Sequence, residues 1–301
     1  MKWRSPVSVL PEGSEVVERL IVPENSGWIE WGGHGPDLVF AHANGFPIGS
    51  YRPFLDHLVG RGRVNGWEAR PLMPGSDPQA VSSWRPLSVD LVEALHTRFD
   101  GPVVVVGHSL GGVLSLMAAA DNPELFRALV LLDPVVFSGV RSVAWGLAKR
   151  FGRTHRMPLL AGALRRREFW PDRETARRSW QGKPAFSGWD PAAFEAYLQE
   201  GLEEDKESSD VHLRYPKAWE ARIFEISPHN LWKDISGLEI PILILRGEQS
   251  DTLTPGAAAR FVRKAPDVEC QVVPGTGHML PMQDPARVAG IIEDWLEKQL
   301  S

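Results

Sequence analysis

Ser109 stands in "GHSLGG", residues 107–112, between the apolar run "VVVV" and a helix of small residues. A serine on a sharp strand-to-helix turn is held in a strained backbone conformation that lifts its hydroxyl clear of the sheet. Strand and helix then pass so close that side chains two positions before and after the serine would collide, which accounts for Gly107 and Gly111. A helix that starts at Leu110 aims its free N–H groups and its dipole at the same point and favours negative charge developing there. The pattern predicts that Ser109 is a nucleophile.

A serine hydroxyl attacks poorly unless a base takes its proton. Of the nine histidines, His278 in "PGTGHMLPMQDP" follows the last predicted strand and precedes the last helix. In a doubly wound sheet that loop lies at the carboxyl ends of the strands, the same edge as Ser109. His278 is therefore the expected base. His108 adjoins the serine, but its side chain should point away. His34, His57, His96, His155, His212 and His229 have no such context and read as surface or packing residues. A base of this kind needs a carboxylate to fix its tautomer and to stabilise its charged form. "RGEQSDTLTP", residues 246–255, offers Glu248 and Asp251. Asp251, deeper in the loop, is the expected acid. Asp133, closing the strand "ALVLLD", is the competitor, and Glu248 reads as a local cap or ion-pair partner.

A third polar string, "HANGFP" at 42–47, follows the apolar run 38–41. His42 reads as a ring that hydrogen-bonds this loop into shape. Phe46 and Pro47 should stiffen it and start the next helix. It is no phosphate cradle, because the chain has no Gly-x-x-x-x-Gly-Lys-Ser/Thr string.

The elements that must position these groups follow from the apolar pattern. Strands are expected over 16–22 and 27–32, as an opening antiparallel pair, and over 38–41. Further strands are expected over 102–107, 128–133, 241–246 and 269–273. Helices are expected over 51–59, 87–99, 110–120, 255–264 and 285–299, from four-residue spacings such as Leu91, Leu95 and Phe99. Runs as uniformly apolar as "PVVVVG" mark strands buried on both faces. Alternating strands and helices imply a mostly parallel sheet covered by helices on both sides.

That alternation stops from about 137 to 235, where the sequence is helical in character without a clear buried strand. Six of the twelve tryptophans fall there, most of them at core-like spacing. Residues 141–183 hold twelve Lys or Arg against three acids, and residues 190–225 hold ten acids against four Lys or Arg. The reading is an inserted helical lid, residues 137–235, on a core formed by 1–136 and 236–301. Its basic and acidic halves should face each other or solvent. Steering of an anionic substrate by Arg165, Arg166 and Arg167 is the alternative.

Composition sets outer bounds. A chain of 301 residues has room for one α/β domain with an insertion. The net charge of −5 gives no reason to expect nucleic acid or an anionic membrane as the main partner. No apolar run reaches the length of a membrane span, and the first twenty residues lack a signal-like apolar segment. A cytoplasmic location is the expectation. The single cysteine, Cys270, excludes an intrachain disulfide and a cysteine-based zinc cluster, and reads as a buried structural thiol.

With these motifs in order, the sequence resembles the α/β-hydrolase superfamily, in its serine-nucleophile, esterase- and lipase-like branch with a helical cap. "HANGFP", "GHSLGG", "RGEQSD" and "GTGH" carry the resemblance, which covers nearly the whole chain. It implies an α/β fold with a mostly parallel eight-stranded sheet, helices on both faces and an inserted helical cap. The order Ser109, Asp251, His278 is the order expected of that superfamily. The resemblance also implies an oxyanion hole built from the backbone N–H groups of Asn44 and Leu110. Many members have glycine where this chain has Ala43, which leaves open whether Asn44 or Gly45 supplies the first N–H.

The activity implied is metal-independent, cofactor-free cleavage of a carboxylic ester through an acyl-serine. The substrate would be a small molecule with an apolar acyl or aromatic group. Phe46, Trp84, Val135 and Met279 are the candidate pocket walls. A lactonase, a thioesterase or a C–C bond hydrolase would use the same three side chains. A non-hydrolytic receptor or cofactor-free protein of the same fold is the reading from another class. Oligomeric state is not legible in the sequence.

Overall fold

The structure, a computed structural model, describes residues 27–156, 158–205, 207–208 and 210–300. The strand expected over 16–22 lies outside the described residues.

Five strands and three helices come first: β1 (Trp28–Gly32), β2 (Asp37–Ala41), α1 (Arg52–Leu58), β3 (Arg63–Trp67), α2 (Arg85–Arg98), β4 (Val103–His108), α3 (Leu110–Asp121) and β5 (Phe126–Leu132). The inserted segment follows with α4 (Gly139–Arg150), α5 (Pro158–Arg165), β6 (Phe169–Trp170), α6 (Arg173–Trp180), α7 (Pro191–Glu200), β7 (Leu202–Glu204), β8 (Val211–Leu213), α8 (Lys217–Ile226) and α9 (Trp232–Ser236). The chain ends with β9 (Ile242–Gly247), α10 (Pro255–Lys264), β10 (Val268–Val273), α11 (Leu280–Gln283) and α12 (Pro285–Leu300).

Seven strands form the main sheet among the described residues, in the order β1-β3-β2-β4-β5-β9-β10. All neighbours run parallel except β1 with β3. Successive side chains of a strand point to opposite faces, and here both faces are core. Val39 and Val105 enter the cluster under α2 and α3, whereas Phe40 and Val104 enter the cluster under α1 and α12. A strand covered on both sides has no polar face, so its sequence reads as a continuous apolar run.

The pairing expected between 27–32 and 16–22 involves residues outside those described; among the described residues 27–32 pairs with β3, Trp28 opposite Trp67. Strand β3 itself is absent from the strands expected above, which is a correction. Its sequence "RVNGW" carries Arg, Asn and Gly in place of a β-branched run. Those residues are fixed by their surroundings: a Cβ on Gly66 would lie 2.4 Å from Ile48 Cγ2, and Asn65 accepts a hydrogen bond from Arg98. The inserted segment is also not purely helical. It holds a small antiparallel sheet, β6-β8-β7, whose strands of two and three residues are too short to show a readable alternation.

The insertion packs into the same two cores as the sheet. Trp170, Trp180 and Trp189 join one cluster, and Trp219 and Ile223 the other. Its charged halves pair across the segment: Arg166 with Glu220 at 2.7 Å and Arg177 with Glu195 at 2.6 Å. Arg166 is thus tied down within the insertion. Cys270 is half-buried on β10, and burial pushes its thiol pKa up.

Candidate active site

Ser109 sits between the end of β4 and the start of α3 with φ 53° and ψ −109°, a left-handed conformation that costs energy for any residue with a Cβ. Its N–H is held by the Leu132 carbonyl at 3.0 Å. The flanking glycines are required by distance. A Cβ on Gly107 would lie 2.6 Å from Gly112 Cα, and a Cβ on Gly111 would lie 2.2 Å from the Ala41 carbonyl oxygen. The Gly111 N–H donates to the His42 carbonyl at 3.1 Å, which docks the start of α3 against the 42–47 loop.

His278 brings Nε2 to 2.9 Å from Ser109 Oγ and Nδ1 to 2.8 Å from Asp133 Oδ2. The carboxylate partner of the histidine is therefore Asp133, which corrects the expectation of Asp251. Asp133 is fully buried just beyond β5, with φ 44°, a backbone region that aspartate tolerates better than most residues. Its Oδ2 also accepts from the Ser250 hydroxyl at 2.5 Å, and its Oδ1 faces the Gly247 N–H at 3.3 Å. Arg246 shapes the loop that carries Ser250, donating to the carbonyls of Leu253 (2.6 Å), Glu248 (3.2 Å) and Ser250 (3.2 Å). That fold of the loop turns Asp251 outward. Asp251 is exposed, and Arg141 donates to its backbone carbonyl. Glu248 accepts from the Gly275 N–H at 2.9 Å, the local role expected of it.

Two buried histidines brace these loops. His108 places Nε2 at 2.9 Å from the His278 carbonyl and Nδ1 at 2.8 Å from the Tyr51 hydroxyl. A carbonyl only accepts, so Nε2 carries the hydrogen. Tyr51 then donates to Nδ1, and its oxygen accepts from the Ala43 N–H at 3.1 Å. One chain of hydrogen bonds thus joins the His278 backbone to the 42–47 loop. His42 donates from Nδ1 to its neighbour's carbonyl, Ala43 O, at 2.8 Å and accepts from the Ala69 N–H at 3.0 Å. Burial pushes the His42 pKa down to about 4 and the His108 pKa down to about 3. Both rings are neutral, as these bonds require. Of the remaining histidines, His34, His57, His96, His155 and His229 are exposed and His212 is half-buried.

Asn44 is buried in the loop facing α8 and donates from Nδ2 to the Glu220 carbonyl at 3.0 Å. Gly45 takes φ 89°, and its N–H faces the buried Tyr215 hydroxyl without reaching hydrogen-bonding geometry. Gly45 therefore looks into the inserted segment, beside the Arg166–Glu220 pair. The Leu110 N–H opens the first turn of α3, where no intrahelical acceptor exists.

The four candidate wall residues separate. Phe46 is half-buried, its ring 5.1 Å from Tyr197 and 5.9 Å from Trp189. Val135 and Met279 are half-buried, Val135 two residues after Asp133 and Met279 directly after His278. Trp84 is only 3% exposed, and its indole N–H donates to the Ile223 carbonyl at 3.0 Å. It fastens α8 to the core rather than lining an opening. Sequence reasoning passed over Tyr51 and Ser250. Tyr51 sits in a helical pattern like any core aromatic, and Ser250 precedes the acid that drew attention. No three of the described His, Cys, Asp and Glu side chains are grouped to hold a metal ion.

Comparison with known proteins bears on the fold and the family. An abhydrolase domain-containing protein of Alternaria alternata, AFT2-1, is 28% identical over 232 residues, covering 65% of this chain and 84% of that one. A type I acyl-CoA thioesterase of Penicillium brevicompactum, mpaH, is 23% identical over 346 residues, covering 87% of this chain and 77% of that one. The crystal structure of E-2-(acetamidomethylene)succinate hydrolase superposes with a TM-score of 0.74 at 22% identity, covering 88% of this chain and 93% of that one. The alpha/beta hydrolase family matches residues 38–291, which include the strained serine, the histidine and the buried aspartate. By that match and by the sheet that carries these residues, the chain belongs to the alpha/beta hydrolase family.

Proposed function

We propose that the protein is a serine hydrolase that cleaves a carboxylic ester or thioester through an acyl-Ser109 intermediate, with Ser109, His278 and Asp133 as its triad. The observation that carries this reading is the continuous line from Ser109 Oγ to His278 Nε2 at 2.9 Å and from His278 Nδ1 to Asp133 Oδ2 at 2.8 Å. His278 takes the hydroxyl proton as Ser109 Oγ bonds to the acyl carbon. The carbonyl electrons move to oxygen, where the N–H groups of Leu110 and Asn44 stabilise the charge, each worth roughly 3 kcal/mol in comparable sites. When the tetrahedral species collapses, the alcohol or thiol leaves with the proton from His278. Water then repeats the cycle, giving its proton to His278 and releasing the acid. Asp133 holds Nδ1–H throughout and stabilises the charged ring.

We read residues 137–235 as a cap whose apolar side chains, Phe46 and Val135 beside it, receive the acyl or aromatic part of a small-molecule substrate. A thioester reading is supported by the thioesterase relative, and the triad serves either leaving group. A fluorophosphonate probe tests the core of the proposal. Wild type should label, and Ser109→Ala should not. Failure of the wild type to label would sink the reading. A panel of esters, thioesters, lactones and vinylogous diketones, run against wild type and Ser109→Ala, then identifies the bond.

A further inference from the structure

Helix α4, the first helix of the inserted segment, has two unlike faces. Its inner face is anchored: Trp145 Nε1 donates to the Ser227 carbonyl at 3.0 Å, Ser142 Oγ to the His229 carbonyl at 2.5 Å, and Lys149 Nζ to the Ile226 and Ser227 carbonyls at 3.2 and 3.1 Å. Its outer face is apolar and exposed among the described residues. Val140 is 84% exposed, Val143 62%, Leu147 50% and, at its end, Phe151 64%. At 3.6 residues per turn these four fall within an arc of about 80°. Arg141 and Arg150, both exposed, flank the stripe, and exposed Arg153 follows it. The region around them, residues 141–183, is the one with twelve Lys or Arg against three acids.

From this juxtaposition we propose that the outer face of α4 docks on an anionic lipid surface, with Val140, Val143, Leu147 and Phe151 entering the headgroup boundary and Arg141, Arg150 and Arg153 meeting the lipid charges. An apolar stripe between cations on a helix lying along a surface is the pattern of interfacial binding. The net charge of −5 is a sum over the whole chain and does not describe this patch. Side chains exposed by half or more form a ridge, and a ridge suits a soft boundary better than the rigid wall of a protein groove. A second copy of this chain is the poorer occupant. A two-fold contact would set the same patch against itself and bring like charges together. Only the loop 134–138 separates Asp133 from α4, so docking would set the lipid boundary close to the site.

Co-sedimentation tests this with the full-length protein and vesicles of phosphatidylcholine, with or without phosphatidylglycerol. Binding is expected to the mixed vesicles and to weaken with added salt. Val143→Asp/Leu147→Asp should reduce the bound fraction by about tenfold or more. Arg150→Glu/Arg153→Glu should abolish the preference for phosphatidylglycerol. Absence of binding, equal binding to both vesicles, or unchanged binding by the aspartate variant would overturn the proposal. So would a concentration-dependent dimer that the aspartate variant disrupts. A large fall in melting temperature in that variant would also overturn it, since the chain itself would then be covering the stripe.

Discussion

His278 Nδ1 lies 2.8 Å from Asp133 Oδ2, and that carboxylate has no exposed surface. It comes from the end of β5, the strand between β4, which leads into Ser109, and β9. The position after β9, where Asp251 was expected, instead contributes Ser250, which donates to the same oxygen at 2.5 Å. The two strand ends therefore cooperate: one supplies the charge, and the other a hydroxyl that orients it.

Asp133→Asn should lower kcat by about three to four orders of magnitude, because an amide cannot hold the required tautomer of His278. Asp251→Asn, at an exposed position, should stay within about a few-fold of wild type. Steady-state kinetics on any accepted ester decides it. Equal losses, or a larger loss at Asp251, would return the acid to the loop after β9.

The parts of this arrangement that were legible in the sequence are those set by local chain geometry. Ser109 could be read because Gly107 and Gly111 mark the close crossing of β4 and α3. His278 could be read because its loop follows the last strand. The choice between Asp133 and Asp251 depended on how Arg246 folds the 248–253 loop, through hydrogen bonds to three carbonyls. No sequence spacing encodes that. Strand β3 was hidden for a similar reason, since Gly66 and Asn65 answer to Ile48 and Arg98, residues distant in sequence.

Tyr51→Phe removes the donor to His108 Nδ1 and the acceptor for the Ala43 N–H, and so cuts the connection between the two loops. The Ser109–His278 contact should loosen while the substrate pocket is unaltered. We expect kcat to fall by about ten- to a hundredfold with little change in KM. A variant that raises KM and leaves kcat intact would show that the connection serves binding instead.

Acid should destabilise the fold through His42 and His108. Burial holds their pKa values down at about 4 and about 3, whereas in the unfolded chain each ring titrates near about 6.5. Between these limits the unfolded state binds more protons. The stability that these groups contribute is therefore complete above about pH 6.5 and is lost as the pH falls toward the folded values. Urea midpoints measured from about pH 7 to about pH 4.5 should decline, and less steeply in His108→Asn. Identical slopes for wild type and variant would remove His108 from the account.

Gly247→Ala probes the approach of β9 to the base loop. A Cβ there would lie 2.1 Å from the Gly277 carbonyl oxygen and 2.9 Å from that of Thr276, both backbone atoms that have no free rotation to escape. The His278 loop must move away, and a displacement of about 1 Å is enough to cost roughly a hundredfold in rate. The melting temperature should fall as well, since overpacking costs about 1–3 kcal/mol. Gly256→Ala is the control. It lies in the first turn of α10, and apart from its chain neighbours and its own helix backbone no atom lies within 4 Å of the new Cβ, so it should stabilise the protein by about 0.4–1 kcal/mol. Thermal melts paired with kcat separate the two effects. A Gly247→Ala protein that keeps the wild-type kcat would mean that the base loop can shift without disturbing His278, and the tight crossing would then be a feature of packing alone.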